Sequence, residues 1–302
     1  MKAQNQGIRR MLTGASALAA TVMFAGQALA QDLLGQPTPG AIDLQPAASV
    51  LKTDAIWFHN VILMPIITVI VLFVAALLGW IIIRYNAKSN PIPAKFSHNT
   101  TIEIIWTVVP VIILMVIAIF SFRLLFAYND MPKPYMTVKA TGYQWYWGYE
   151  YPDQKISEIT SLPLSKEAAD AKKVPYLLAA DKAMVVPVNQ VVRVQVTGAD
   201  VIHAFALPAF GLKTDAIPGR LNETWFKAEK TGTYYGQCSE LCGVDHSNMP
   251  IEIKVVSQAE FDAWVKAQTA PPAAAAPVAT PVSAPAAVPA SVPAAAPAAP
   301  AV

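Results

Sequence analysis

Two stretches of this chain run uncharged for longer than a soluble fold tolerates, and they constrain everything around them. Val61 to Ile83 contains no charged residue, and at about 1.5 Å per residue a helix over it spans ~34 Å. Ile104 to Phe122 is the second such run, spanning ~28 Å against a hydrocarbon core of ~30 Å. Both predict membrane-crossing helices. They also explain a composition of 54% hydrophobic and only 14% charged residues over 302 positions, since a soluble domain is nearer a quarter charged. The connecting loop carries Arg84, Lys88 and Lys95 and no acidic residue, so positive-inside bias predicts that it is cytoplasmic.

The first 30 residues have the pattern of an export signal. Arg9 and Arg10 precede an uncharged stretch, Met11 to Ala30, that ends in Ala28-Leu29-Ala30, a small-residue cleavage site. Cleavage puts the mature start near Gln31; the alternative is an uncleaved first helix. The expected topology is a multi-pass protein of the cell inner (cytoplasmic) membrane, with both mature termini periplasmic. A formal net charge of +2 and the lack of any basic run exclude nucleic acid as the expected partner. Lipid is the expected surroundings.

Beyond Tyr128 the pattern changes to period two. Met136-Thr137-Val138-Lys139, Val192 to Val196, Thr224 to Lys227 and Ile251 to Val255 alternate apolar and polar residues, which predicts a β-sandwich or small barrel. A short helix follows, opened by Ser257-x-x-Glu260 as a capping box, with Phe261 and Trp264 on one face. From Thr269 the chain is Ala, Pro, Val, Ser and Thr alone, a composition that builds no packed core. The expected domains are 1–30 signal peptide, 31–134 N-terminal segment and membrane anchor, 135–266 β domain, and 267–302 Ala/Pro tail.

The chemistry is concentrated in Cys238-Ser-Glu240-Leu-Cys242-Gly-Val-Asp-His246-Ser-Asn-Met249. A second histidine, His203, is expected at the end of a predicted strand. Thiolate, imidazole and thioether together suit copper through a one-electron cycle. Two cysteines speak against a mononuclear blue-copper site. A Cys₂His₂ zinc site would leave Met249 without a role, and a Cys238–Cys242 disulfide in an oxidising compartment would leave both histidines unexplained. Spacing alone leaves copper, zinc and disulfide open.

The segment C-S-E-x-C-G-x-x-H-x-x-M resembles the dinuclear copper A loop of cytochrome c oxidase subunit II. Gly142-Tyr-Gln-Trp145-Tyr-Trp147-Gly-Tyr-Glu150-Tyr and Gly211 to Asn222 are similar to two further segments of that family, so the likeness covers roughly Ile42 to Trp264. The resemblance implies a cupredoxin-like Greek-key β-barrel or sandwich behind a two-helix hairpin. Cys238 and Cys242 would bridge two coppers. His203 and His246 would each complete one metal, with Met249 and the Glu240 carbonyl as weak ligands. The Glu240 side chain would help bind a magnesium ion shared with subunit I. Trp145 would be the electron entry point, and Glu103 would stand at the mouth of a proton pathway. Glu150, Asp181 and Asp200 would help dock the basic cytochrome c, with Glu158 near a further acidic position. Structural explanations exist for these too: aromatic packing for Trp145, a Thr100-x-x-Glu103 capping box, and plain solvation of the carboxylates.

The implied function is electron entry from cytochrome c to haem a in subunit I, which would also hold haem a3 and copper B, with oxygen reduction coupled to proton pumping. Subunit III is a further expected partner. No C-x-x-C-H motif occurs, so the donor haem belongs to a separate protein. The alternative is a membrane-tethered periplasmic copper-binding or delivery protein.

Overall fold

A computed structural model describes residues 33–270; the signal-like segment and the Ala/Pro-rich residues from 271 onward lie outside them. The first uncharged run forms α1 (Val50–Arg84) and the second forms α2 (Thr100–Asn129). Their apolar windows are not buried by the rest of this chain, as suits helices that satisfy their own backbone groups within a bilayer. Both helices exceed the apolar runs that predict them. α1 starts eleven residues before Val61 and contains a π-helical stretch, Phe58–Leu63. Pro65 follows it, and a proline that cannot bond the carbonyl four residues back accounts for the local widening. Asn86 closes α1 by donating its side-chain amide to the Ile82 and Ile83 carbonyls.

The start of α2 corrects the capping-box expectation. Asn99, not Thr100, is the cap: its side-chain oxygen accepts the Ile102 amide at 3.2 Å, while Thr100 is already helical. Glu103 donates its backbone amide to the Asn99 carbonyl. Its carboxylate stays in the first turn, where the helix dipole favours it.

The β domain has ten strands: β1 Met136–Tyr143, β2 Tyr146–Tyr151, β3 Ile156–Ser161, β4 Met184–Pro187, β5 Val191–Gly198, β6 His203–Leu207, β7 Leu212–Ala216, β8 Asn222–Lys227, β9 Gly232–Cys238 and β10 Pro250–Val256. They form two five-stranded sheets ordered β3-β2-β1-β5-β8 and β4-β10-β9-β6-β7. The pairs β1/β5 and β4/β10 are parallel and the others antiparallel. Period-two patterning does what it predicts: β5 alternates partly exposed and buried positions along its length. Val138, Val194, Phe205, Phe226, Tyr234 and Ile253 close the core between the sheets.

One short helix, α3 (Lys166–Lys172), interrupts the β pattern; Ser165 caps it by accepting the Ala168 amide. The terminal helix α4 (Gln258–Thr269) has the expected capping box, with the Ser257 amide donating to Glu260 and the Glu260 amide to Ser257 Oγ. Phe261 is buried beneath it and Trp264 packs on Tyr151.

Hairpin and β domain are fastened to each other. The Ala48 amide donates to the Ala209 carbonyl, and Ser49, the cap of α1, donates its hydroxyl to the Phe210 carbonyl. At the end of α2 the Tyr128 hydroxyl donates to the Gly211 carbonyl, and the Trp225 indole donates to the Tyr128 carbonyl. Upstream of α1 the chain reaches along β9, where the Tyr235 amide donates to the Gly35 carbonyl.

Candidate metal centre

β6, β9 and the loop into β10 converge on one buried corner. His203 opens β6 rather than closing the strand before it, because β5 ends at Gly198. β9 ends at Cys238, paired with Phe205 of β6. The loop leaves there and returns at Met249, and the Cys238 amide donates to the Met249 carbonyl, closing its base. The Ser239 amide donates to the Ala204 carbonyl and binds the loop to β6.

The donor atoms form a row. His203 Nδ1 lies 3.9 Å from Cys238 Sγ, the two sulfurs are 3.8 Å apart, and His246 Nδ1 is 3.6 Å from Cys242 Sγ. Met249 Sδ approaches Cys242 Sγ at 4.0 Å, and the Glu240 carbonyl oxygen approaches Cys238 Sγ at 3.3 Å. His203, Cys238, Cys242 and Met249 are buried, His246 half-buried and the Glu240 side chain exposed. The thiols are free. A disulfide needs about 2.05 Å between sulfurs, whereas 3.8 Å suits two thiolates sharing a metal at about 2.3 Å each. The donors fit a copper centre, sulfur-rich with an imidazole at each end.

His203 is held from both sides. Its Nε2 lies 2.8 Å from Asp200 Oδ1, which leaves Nδ1 facing the sulfurs. Gly142 of β1 lies against the ring: a Cβ there would come within 2.8 Å of His203 Cδ2. Burial pulls the imidazole pKa down, but the bonds to Cys238 and Asp200 prevail and raise it. Burial likewise acts against the Cys238 thiolate, yet His203 and the backbone at Glu240 and Ala204 bring its pKa down to about 6. Burial, with the neighbouring Cys238 sulfur, pushes Cys242 up to about 12. Burial and hydrogen bonding thus treat the two thiols oppositely, favouring ionisation at Cys238 and opposing it at Cys242.

Trp145 sits in the turn between β1 and β2, over this loop, and its indole donates to the Cys242 carbonyl at 3.2 Å. Asp200 belongs to the site through His203. Glu150 is paired with Lys139 at 2.6 Å, and Asp181 accepts the Leu162 amide at 2.7 Å. Glu158 accepts the Tyr143 hydroxyl. Glu103 shares one open face at the start of α2 with Thr100, Ile104, Thr107 and Val108. The sequence gives no local signal for the contact of Gly142 with His203, because it forms between strands distant in the chain.

The family model described as "Cytochrome C oxidase subunit II, periplasmic domain" matches residues 136–256, and "Cytochrome C oxidase subunit II, transmembrane domain" matches residues 37–124. "Cytochrome c oxidase subunit 2" of Cereibacter sphaeroides is 46% identical over 270 residues, covering 84% of this chain and 89% of that one. "Probable cytochrome c oxidase subunit 2" of Rickettsia felis is 52% identical over 235 residues, 77% of this chain and 73% of that one. The crystal structure of the periplasmic domain of subunit II of cytochrome oxidase of Bradyrhizobium japonicum is 65% identical. It covers 46% of this chain and 96% of that one, with a TM-score of 0.43.

Proposed function

The chain belongs to the cytochrome c oxidase subunit II family, and from that premise we propose that its β domain accepts electrons from cytochrome c at a dinuclear copper centre. It is a membrane-anchored oxidase subunit that works with the other subunits of a haem–copper enzyme. The observation that carries the copper reading is the donor row itself, with two unlinked sulfurs at its centre and one imidazole at each end.

Cys238 and Cys242 would bridge both metals. His203 and His246 would hold one each, Met249 would lie beside one and the Glu240 carbonyl beside the other. Six donors supply two metals and would crowd one. Copper bound there supplies a reversible one-electron store. The chain's own part is to hold that store still: Asp200 and Gly142 fix the His203 ring, and the Cys238–Met249 backbone bond closes the loop. Burial of the ligands favours electron transfer over metal exchange, and so disfavours a copper-delivery role.

Trp145 would receive the electron, its indole bonded to the carbonyl of a ligand residue. Glu150, Asp181 and Asp200 would contribute to the acidic docking face for cytochrome c, Asp200 doing so beside its bond to His203. The exposed Glu240 side chain would face subunit I and share a magnesium ion there, with haem a as electron acceptor. Glu103, in the first turn of α2, would admit protons to a pathway in subunit I. Subunit III completes the proposed assembly.

The orientation we propose has the β domain periplasmic, the loop after Arg84 cytoplasmic and residues 1–30 removed. Labelling of Ser89→Cys from the periplasmic side of sealed vesicles would overturn that orientation. The copper reading is tested by metal analysis and electron paramagnetic resonance of the detergent-solubilised full chain. Two coppers and an unpaired electron shared between both nuclei are expected; a single zinc per chain would refute it.

A further inference from the structure

The turn between β1 and β2 is fastened to the metal-binding segments on two sides. On one side the Gln144 backbone amide donates to Asp200 Oδ2 at 2.7 Å, and the other oxygen of that carboxylate holds His203. On the other side the Gln144 carboxamide donates to the Cys242 carbonyl at 2.8 Å, the same oxygen that accepts the Trp145 indole at 3.2 Å. A carbonyl oxygen has two lone pairs, so both donors can be accommodated. The next residue, Gly243, has φ of +130°. A Cβ on it would come within 2.8 Å of Trp145 Cζ2 and 3.2 Å of Gln144 Nε2. Indole and carboxamide therefore both rest on bare backbone.

We propose that Gln144 is a positioning residue that fixes the Trp145 indole against the metal-binding loop. Its functional consequence rests on the reading of Trp145 as electron entry. A single 3.2 Å bond leaves the indole free to pivot about its nitrogen. The adjacent carboxamide on the same oxygen, with its own backbone amide tied to Asp200, fixes the height and tilt of the turn. Gln144 is exposed and has the appearance of an ordinary surface amide, yet both its polar ends are committed to segments that carry metal ligands.

The test reads the indole directly. In the full chain in detergent, with ¹⁵N-labelled tryptophan indoles, the Trp145 signal is assigned by its loss in Trp145→Phe. Gln144→Ala should speed its hydrogen exchange about tenfold, the size of one net hydrogen bond. Gln144→Glu has nearly the same shape but lacks a donor at neutral pH, and should speed exchange at least as much. The Trp225 indole, bonded to Tyr128, should not change. Unchanged Trp145 exchange in both variants overturns the proposal, and so does equal acceleration at Trp225, which would mark general loosening. With copper loaded, both variants should lower the limiting rate of reduction by cytochrome c several-fold and leave the half-saturating concentration in place. If Trp145→Phe leaves that rate unchanged with copper intact, the electron-entry reading fails, while the exchange measurement still decides the role of Gln144.

Discussion

The hairpin and the β domain solve opposite problems with the same residue types. Along α1 and α2 the apolar windows are turned outward; Phe73 is 61% exposed and Leu114 64%. In the β domain Phe226 and Val194 have no exposed surface. A lipid-facing position needs only to be apolar, because hydrocarbon accommodates any shape. A position between two sheets must also match its neighbours' volume. The hairpin is specified by composition, the β domain residue by residue, and the metal corner atom by atom.

Four experiments probe that gradient. The largest effect belongs to the corner: Cys242→Ser should abolish the shared-electron copper signal and lower electron entry by more than about a hundredfold, exceeding the usual cost of an outer-shell change. Metal analysis with stopped-flow reduction checks it. Next comes the core. Phe226, stacked on Phe210 with centroids 4.7 Å apart, should cost about 3–5 kcal/mol as Phe226→Ala, whereas Phe73→Ala should shift thermal unfolding by less than about 0.5 kcal/mol. Similar losses at both positions in thermal melts would erase the distinction between lipid-facing and packed residues.

Trp145→Phe, third, should retain copper and slow reduction by cytochrome c at least about tenfold, the loss expected when one positioned group is removed. The smallest effect is at Glu252, on β10, whose carboxylate accepts the Ala180 amide at 2.8 Å. Burial raises its pKa above 4.5, outweighing that bond. The folded protein then holds the proton more tightly than the unfolded chain. Its contribution is full below pH 4.5 and is lost as pH rises through the folded value. Glu252→Gln should flatten this slope, measured as melting temperature against pH.

What the sequence makes legible follows the same gradient. The two apolar runs locate the membrane helices but not their ends, since residues 50–60 and 123–129 are helical without being uniformly apolar. The end of α2 meets the β domain through Tyr128 and Trp225, 97 residues apart. Period two locates the strands of the core, while α3 goes unread because seven residues around a local cap leave only a faint periodicity. Five of the donor side chains that meet at the corner are visible in the sequence, four of them because they fall within one loop. The cap of α2 is misread by one residue, as Asn99 and Thr100 are both good caps. The supports of the site are invisible: Asp200 reaches Gln144 across 56 residues and Gln144 reaches Cys242 across 98. No local spacing records a bond of that kind.

The double fastening of the hairpin, at Ala48–Ser49 and at Tyr128, has a kinetic meaning. A domain on a loose linker finds its neighbour by diffusion, with an effective concentration in the millimolar range that falls as the linker lengthens. Every delivery would then begin with a search. Here both helices continue out of the apolar zone and are bonded to the same short stretch, Ala209 to Gly211, so the β domain does not swing on its anchor. What the fastening sets is the place of the metal corner relative to the hairpin, so that anchoring the helices also places the corner.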